Sequence, residues 1–201
     1  MSLDNTARAR RVKVLLFDVD GVLTNGDITV MPGPQLPDGS PGKGVEVKSF
    51  HAHDGLGVSL ARLAGLKLGF VTKRTSQAVA IRARDLKIEY VYQGQAHKMQ
   101  AVERILAAEF CTLDELAYVG DDIIDLPVMR KVGLAIATAN ARPEVKRAAH
   151  YITPLAGGSG AGRDAVDFIL TARGVLESTI ELYLDADNPE ARRHDIGTGN
   201  M

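Results

Sequence analysis

Residues 12–24 read V-K-V-L-L-F-D-V-D-G-V-L-T, and this stretch decides the fold. Its first half is apolar and rich in branched residues, broken only by Lys13. That is the pattern of a strand covered on both faces inside a mostly parallel sheet. The strand ends in two carboxylates one residue apart, Asp18 and Asp20, followed at once by Gly21. In open α/β sheets the ligand crevice lies beyond the carboxyl ends of the strands. Paired acids at that point therefore suggest a cation or a reaction. The plainer alternative is a polar turn, since Asp and Gly are common turn residues. The rest of the chain decides between the two.

The chain has 201 residues, 45% hydrophobic and 24% charged, which suits one globular domain spanning residues 1–201. A formal net charge of −1 offers no electrostatic reason to expect nucleic acid or an anionic membrane as partner. Cys111 is the one cysteine, so no intramolecular disulfide forms and a reducing, cytoplasmic setting is expected. Residues 1–11 are polar and basic with no apolar run behind them, unlike a signal peptide. No apolar run is long enough to span a bilayer.

Beyond Thr24, a turn at 25–27 leads to a short strand at 28–30. Residues 31–44 are rich in Pro and Gly and are expected to hold no regular structure. Residues 45–50 resume an extended pattern, so 28–47 is expected to form a hairpin flap with a long tip. Helices are expected at 55–64, 76–86, 94–109, 142–149, 163–172 and 175–184, with another running from the acidic hexad at 120–125 to about 132. Strands are expected at 66–71, 90–92, 116–119, 134–137 and 151–153, and residues 185–201 form a polar tail. Strands and helices alternate throughout, which predicts an α/β, doubly wound, Rossmann-like parallel sheet.

Several of these strand and helix ends carry polar residues of complementary type. They are Asp18 with Asp20, then Thr72, then Lys98 near a helix start, then Asp121, Asp122 and Asp125. Clustered carboxylates repel one another unless they share a hard cation, and all-oxygen ligands suit Mg²⁺. Asp121 and Asp125, four apart, would share one face of a helix starting there. Lys98 can lower the pKa of a nucleophilic carboxylate and hold a phosphoryl oxygen, and Thr72 adds a neutral donor. Phosphoryl transfer asks for this combination, because its catalysis is mostly positioning and charge neutralisation.

The ordered set resembles the haloacid dehalogenase superfamily, whose motifs read D-x-D-G, a strand ending in Thr or Ser, a Lys, and G-D-D-x-x-D. The resemblance implies that Asp18 is the nucleophile forming an aspartyl-phosphate. It implies that Asp20 protonates the leaving oxygen and later deprotonates the attacking water. Metal ligation falls to Asp18, Asp121 and the backbone carbonyl of Asp20, with Asp122 and Asp125 supporting. A second acid at position 20 favours phosphate esters over haloalkanoates, because a halide leaves without a proton.

No cap domain fits between these motifs. The segments F-H-A-H-D-G-L-G (50–57), Y-Q-G (92–94), Y-V-G-D-D-I-I-D-L-P-V-M (118–129) and G-G-S-G-A-G-R-D (157–164) resemble the capless 3-deoxy-D-manno-octulosonate 8-phosphate phosphatases of lipopolysaccharide precursor synthesis. The resemblance implies Mg²⁺ as cofactor, a sugar phosphate substrate, and a homotetramer in which a neighbour's hairpin partly covers each site. The chain departs from the family pattern at three places. Thr72-Lys73-Arg74 stands where Thr-Gly-Arg is frequent, His53 replaces an Arg before Asp54-Gly55, and the hairpin tip is long.

His53, Lys73, Arg74 and Arg163 are the candidate substrate contacts. His51 and His53 would share one face of an extended strand, a conceivable metal clip without an evident third ligand. The glycines at 157–162 suit either anion binding or plain helix entry. A nine-carbon sugar acid 9-phosphate is an alternative substrate, and a catalytically silent assembly module on the same fold is an alternative of another class.

Overall fold

The structure, a computed structural model, describes residues 4–185, 187–189 and 193. Strands β1 (Val14–Phe17), β4 (Lys67–Val71), β5 (Tyr90–Tyr92), β6 (Leu116–Gly120), β7 (Leu134–Ala137) and β8 (Tyr151–Ile152) form one sheet. Its order is β5-β4-β1-β6-β7-β8 and every pairing is parallel. From β1 the chain steps to β4 and outward to β5, then crosses back to β6 on the other side of β1. The direction of winding therefore reverses between β1 and β6, where an open α/β sheet binds its ligand. The expected doubly wound sheet is the one observed.

Alternation along β1 divides the core in two. Leu15 and Phe17 pack with Ala9 of α1 (Asn5–Arg10), Val58 and Leu60 of α2 (Ala52–Leu63), and Val166 and Ile169 of α7 (Ala161–Arg173). Val14 and Leu16 point the other way, against Val102 and Ile105 of α4 (Lys98–Ala108) and Met129 of α5 (Leu126–Met129). All four β1 side chains are buried, as a strand covered on both faces requires. Helices α3 (Gln77–Asp85), α6 (Pro143–Ala148) and α8 (Leu176–Leu184) complete the layers.

The structure departs from the sequence pattern at several places. Helix α1 was not expected from the polar leader. Asp4 caps it by accepting from the Ala7 N–H at 2.6 Å, and Arg10 donates to the Ala172 carbonyl at 2.8 Å, docking it on α7. Strands β2 (Thr29–Met31) and β3 (Val45–Val47) do form the expected antiparallel hairpin. Its tip holds more structure than its composition suggests. Gln35 and Pro41 bridge, and the Gly42 N–H donates to the Pro34 carbonyl at 2.9 Å. Proline lacks a donor but its carbonyl still accepts, so a tip can close where no prolyl N–H is needed.

His51 and His53 do not lie on a strand. His51 is the N-cap of α2, its Nδ1 accepting from the His53 N–H at 3.3 Å, and the two rings meet edge to face. The long helix expected after the acidic hexad is instead a 3₁₀ turn, Ile123–Asp125, followed by the short α5 with Pro127 in its first turn. The polar tail expected at 185–201 lies mostly outside the described residues. Among the described residues, no helix is long and apolar enough to cross a membrane.

Phe17 ends β1 with its ring edge-on to Phe70, centroids 6.4 Å apart, and it is 1% exposed. Truncating it to Ala should destabilise the chain by about 3–5 kcal/mol through lost burial and a cavity. Phe17→Leu should cost distinctly less. Urea unfolding of both variants checks this, and equal midpoints would contradict it.

Candidate active site

Asp18 follows β1, Thr72 follows β4 and Asp121 follows β6, so three adjacent parallel strands deliver their polar ends to one edge of the sheet. A cavity of about 510 Å³ opens there, lined by Asp18, Asp20, Thr72, Lys73, Arg74, Asp121 and Asp122. Two glycines make the close approach of its walls feasible. Gly21 has φ +85°, a left-handed conformation that side chains resist, and a Cβ there would stand 2.1 Å from Asp121 Oδ2. A Cβ on Gly120 would meet the Asp125 carboxyl carbon at 2.7 Å.

Lys98 begins α4 and is 3% exposed, beneath the cavity floor and not among its lining residues. Its ammonium lies 2.8 Å from Asp18 Oδ2 and 2.6 Å from Asp125 Oδ1. The other Asp18 oxygen accepts from the Val19 N–H at 2.7 Å. Asp125 is fully buried and occupied on both oxygens. Oδ1 also accepts from the Tyr118 hydroxyl at 2.8 Å, and Oδ2 accepts from the Asp121 and Asp122 N–H groups at 3.1 and 3.2 Å. Asp122 Oδ1 accepts from the Ile123 N–H and starts the 3₁₀ turn.

The acids outnumber the cation between them. Burial pushes the Asp18 carboxyl up, and the Asp125 charge adds to it against the pull of Lys98. Asp121 is pushed up to about 8 by burial, then by Asp18 and Asp125. Burial lowers Lys98, but Asp18 and Asp125 outweigh it and leave the ammonium above its ordinary value. Asp121 Oδ1 is buried with no hydrogen-bond partner. Oxygens of Asp18, Asp121 and Asp125 lie within 4.8 Å of one another, the one such group among the described residues. An orphaned carboxylate oxygen amid like charges, with oxygen donors alone, fits a hard divalent cation. Since Asp125 is saturated by protein donors, Asp18 and Asp121 are the side chains left to face one.

Of the candidate substrate contacts, Lys73 and Arg74 line the cavity. His53 is exposed on the first turn of α2, and Arg163 pairs with Asp167 at 2.7 Å; neither lines the cavity. The glycine loop before α7 has a structural use, because Asp54 Oδ1 accepts the Arg163 N–H at 2.9 Å at that helix's start. Three residues next to the site were not singled out from the sequence: Tyr118, Glu46 and Lys48. Tyr118 looks like an ordinary strand residue until its hydroxyl is placed. Glu46 and Lys48, two apart on an extended segment, share a face, which was the one available signal.

Comparison with known proteins agrees with this geometry. Residues 70–161 match the model of the haloacid dehalogenase-like hydrolases. The 3-deoxy-D-manno-octulosonate 8-phosphate phosphatase of Yersinia pestis is 38% identical over 181 residues, 90% of this chain and 91% of that protein. Its Escherichia coli K12 counterpart is 38% identical over 177 residues, 88% of this chain and 89% of that one. Among solved structures, the Y. pestis enzyme superposes with a TM-score of 0.77 at 37% identity, covering 87% of this chain and 89% of the other. The Moraxella catarrhalis enzyme, solved with magnesium, phosphate and the sugar acid, gives 0.78 at 31% identity over 89% and 97% of the two chains. By identity sustained along both sequence and fold, the chain belongs to the 3-deoxy-D-manno-octulosonate 8-phosphate phosphatase family of the haloacid dehalogenase-like hydrolases.

Proposed function

We propose that the protein is a Mg²⁺-dependent phosphatase that hydrolyses 3-deoxy-D-manno-octulosonate 8-phosphate to the free sugar acid and inorganic phosphate, in the cytoplasmic synthesis of lipopolysaccharide precursor. The observation that carries this reading is Asp18: a buried carboxylate gripped by Lys98, opening on the cavity beside an unpartnered Asp121 oxygen. Relatives of known activity and the magnesium-bound neighbour point to the same chemistry.

Asp18 attacks phosphorus as the ester bond to the sugar oxygen breaks, leaving an aspartyl-phosphate. Asp20, two residues on and also lining the cavity, hands its proton to the departing oxygen and then takes one from the water that hydrolyses the intermediate. Thr72 and Lys73 face the phosphoryl group, and Arg74 faces the sugar acid. Lys98, below the floor, orients Asp18 and offsets its charge. Mg²⁺, held by Asp18, Asp121 and the Asp20 carbonyl, would neutralise charge on the phosphoryl oxygens. Asp125 and Asp122 shape the loop that presents Asp121. The complete set weighs against a silent assembly module, and the comparisons favour the eight-carbon over the nine-carbon substrate.

We also propose a closed homotetramer in which hairpins meet across subunits. Its support is the hairpin itself, where Val30, Met31 and Val45 are each more than half exposed and Val47 is 42% exposed. Two-stranded ribbons with bare apolar faces are marginal alone.

Four outcomes are expected. Asp18→Asn should reduce turnover at least about 10³-fold while far-ultraviolet circular dichroism stays native. Wild-type kcat/KM should favour the eight-carbon over the nine-carbon sugar acid phosphate, and the reverse order would reassign the substrate.

Metal-free stability should fall as pH rises between about 4 and about 8. Asp121 ionises near 3.8 when unfolded and at about 8 when folded, so the native state holds the extra proton throughout that window. The cost of ionising it is absent below the window and full above it. Thermal unfolding in EDTA should give a higher Tm at pH 6 than at pH 8, with added Mg²⁺ raising Tm more at pH 8. Equal Mg²⁺ stabilisation at both pH values would count against ligation by Asp121.

Val30→Asp combined with Val45→Asp should dissociate the oligomer in light scattering across a dilution series. A wild-type monomer with full activity on the sugar phosphate would refute the assembly.

A further inference from the structure

The hairpin reaches the active site of its own chain through charge. Lys48, the residue after β3, has a side chain only 1% exposed, and its ammonium hydrogen-bonds Asp20 Oδ1. The same ammonium lies 3.5 Å from Glu46 Oε1. That Glu46 oxygen accepts from the Arg74 guanidinium at 2.6 Å, and Arg74 Nε lies 3.7 Å from Asp20 Oδ2. The four groups form a closed ring of alternating sign, Asp20–Lys48–Glu46–Arg74. Two members come from the hairpin and two from the loops that follow β1 and β4. A lysine side chain withdrawn from water needs charged partners, and these hold it in one geometry. The phosphoryl-transfer mechanism leaves Lys48 without a role, although it touches the carboxylate that must meet the leaving oxygen.

We infer that Lys48 and Glu46 are positioning residues: Lys48 fixes the Asp20 carboxylate toward the leaving oxygen and Glu46 fixes the Arg74 guanidinium, so that seating the hairpin and aligning the acid are one event. This rests on the phosphatase reading for the role of Asp20. Lys48 donates to Oδ1 alone, which fixes the side-chain rotamer and leaves Oδ2, 3.7 Å from Arg74 Nε and beyond hydrogen-bond distance of it, to meet the leaving oxygen. The hairpin thereby acts on its own subunit's chemistry, whatever cover a neighbour adds.

Leaving-group dependence separates this role from a structural one, because a phenolate departs readily without a proton and a sugar alkoxide does not. The experiment compares wild type, Lys48→Met, Lys48→Arg and Glu46→Gln on alkyl phosphates (the sugar acid phosphate and glucose 6-phosphate) and on p-nitrophenyl phosphate. Lys48→Met should lower kcat on alkyl phosphates by about 30-fold or more but by less than about 3-fold on the aryl ester, a part of the usual general-acid contribution. KM and the Mg²⁺ concentration for half-activity should hardly move, and Lys48→Arg should recover most of the loss.

Should Lys48→Met fail to fold, Glu46→Gln, which keeps every side chain near its size, is expected to show the same alkyl-selective loss to a smaller degree. An equal loss on alkyl and aryl esters, or no loss in either variant, overturns the inference. Wild type active on glucose 6-phosphate but not on the sugar acid phosphate overturns the substrate assignment and leaves the inference readable on the remaining alkyl ester. Wild type inert on every monoester overturns both.

Discussion

Lys98 is a cation taken almost wholly out of water, and two carboxylates within 2.8 Å keep it there. Removing one partner of such a pair leaves an unbalanced buried charge and costs about 3–5 kcal/mol. The surrounding structure is arranged to meet that demand. Asp125 can serve Lys98 because Tyr118 and two backbone N–H groups take the rest of its lone pairs. Asp125 can reach that place because Gly120 has no side chain and because the chain turns as a 3₁₀ segment instead of an α-helix. The same N–H contacts hold the Asp121 backbone, so the residue facing the cavity is set by one that never reaches it. The site is thus supported from below, by a polar network that is satisfied at every member except the buried, unpartnered Asp121 oxygen.

Much of this was legible in the chain. The apolar run ending in Asp18 and Asp20 placed the central strand and its crevice, and the strand–helix alternation gave the parallel sheet, because both depend on local periodicity. Asp18, Thr72 and Asp121 converge since each directly follows a parallel strand, which a one-dimensional reading can count. The helix expected from Asp121 failed for a physical reason. Asp125 gains more from turning inward to Lys98 and two N–H donors than from sharing an exposed helical face, and that gain involves a partner 27 residues away.

Helix α1 was missed for a similar reason, since its docking contacts are with the distant Ala172 and Gly133 carbonyls. His51 misled because histidine is an unusual N-cap, so the extended pattern before it was carried too far. Glu46 and Lys48 were passed over because charges on an exposed hairpin are usually solvated. Only the three-dimensional path shows that the Lys48 stem runs inward until its ammonium is lost to solvent.

The strand order carries a consequence for the birth of the molecule. Val14 pairs with Lys67 on one side and with Leu116 on the other. A chain emerging N-terminus first therefore offers β1 one neighbour early and the second only after more than half the sequence has been made. Until β6 arrives, the most apolar strand of the protein has an open edge, and Asp18 lacks the strand whose Val119 carbonyl receives its N–H. Long-range parallel pairing is slow and exposed to wrong partners. During synthesis, then, the strand that carries Asp18 is also the segment with most to gain from a chaperone's grip, and the site cannot exist in part: it forms when the second neighbour closes the gap.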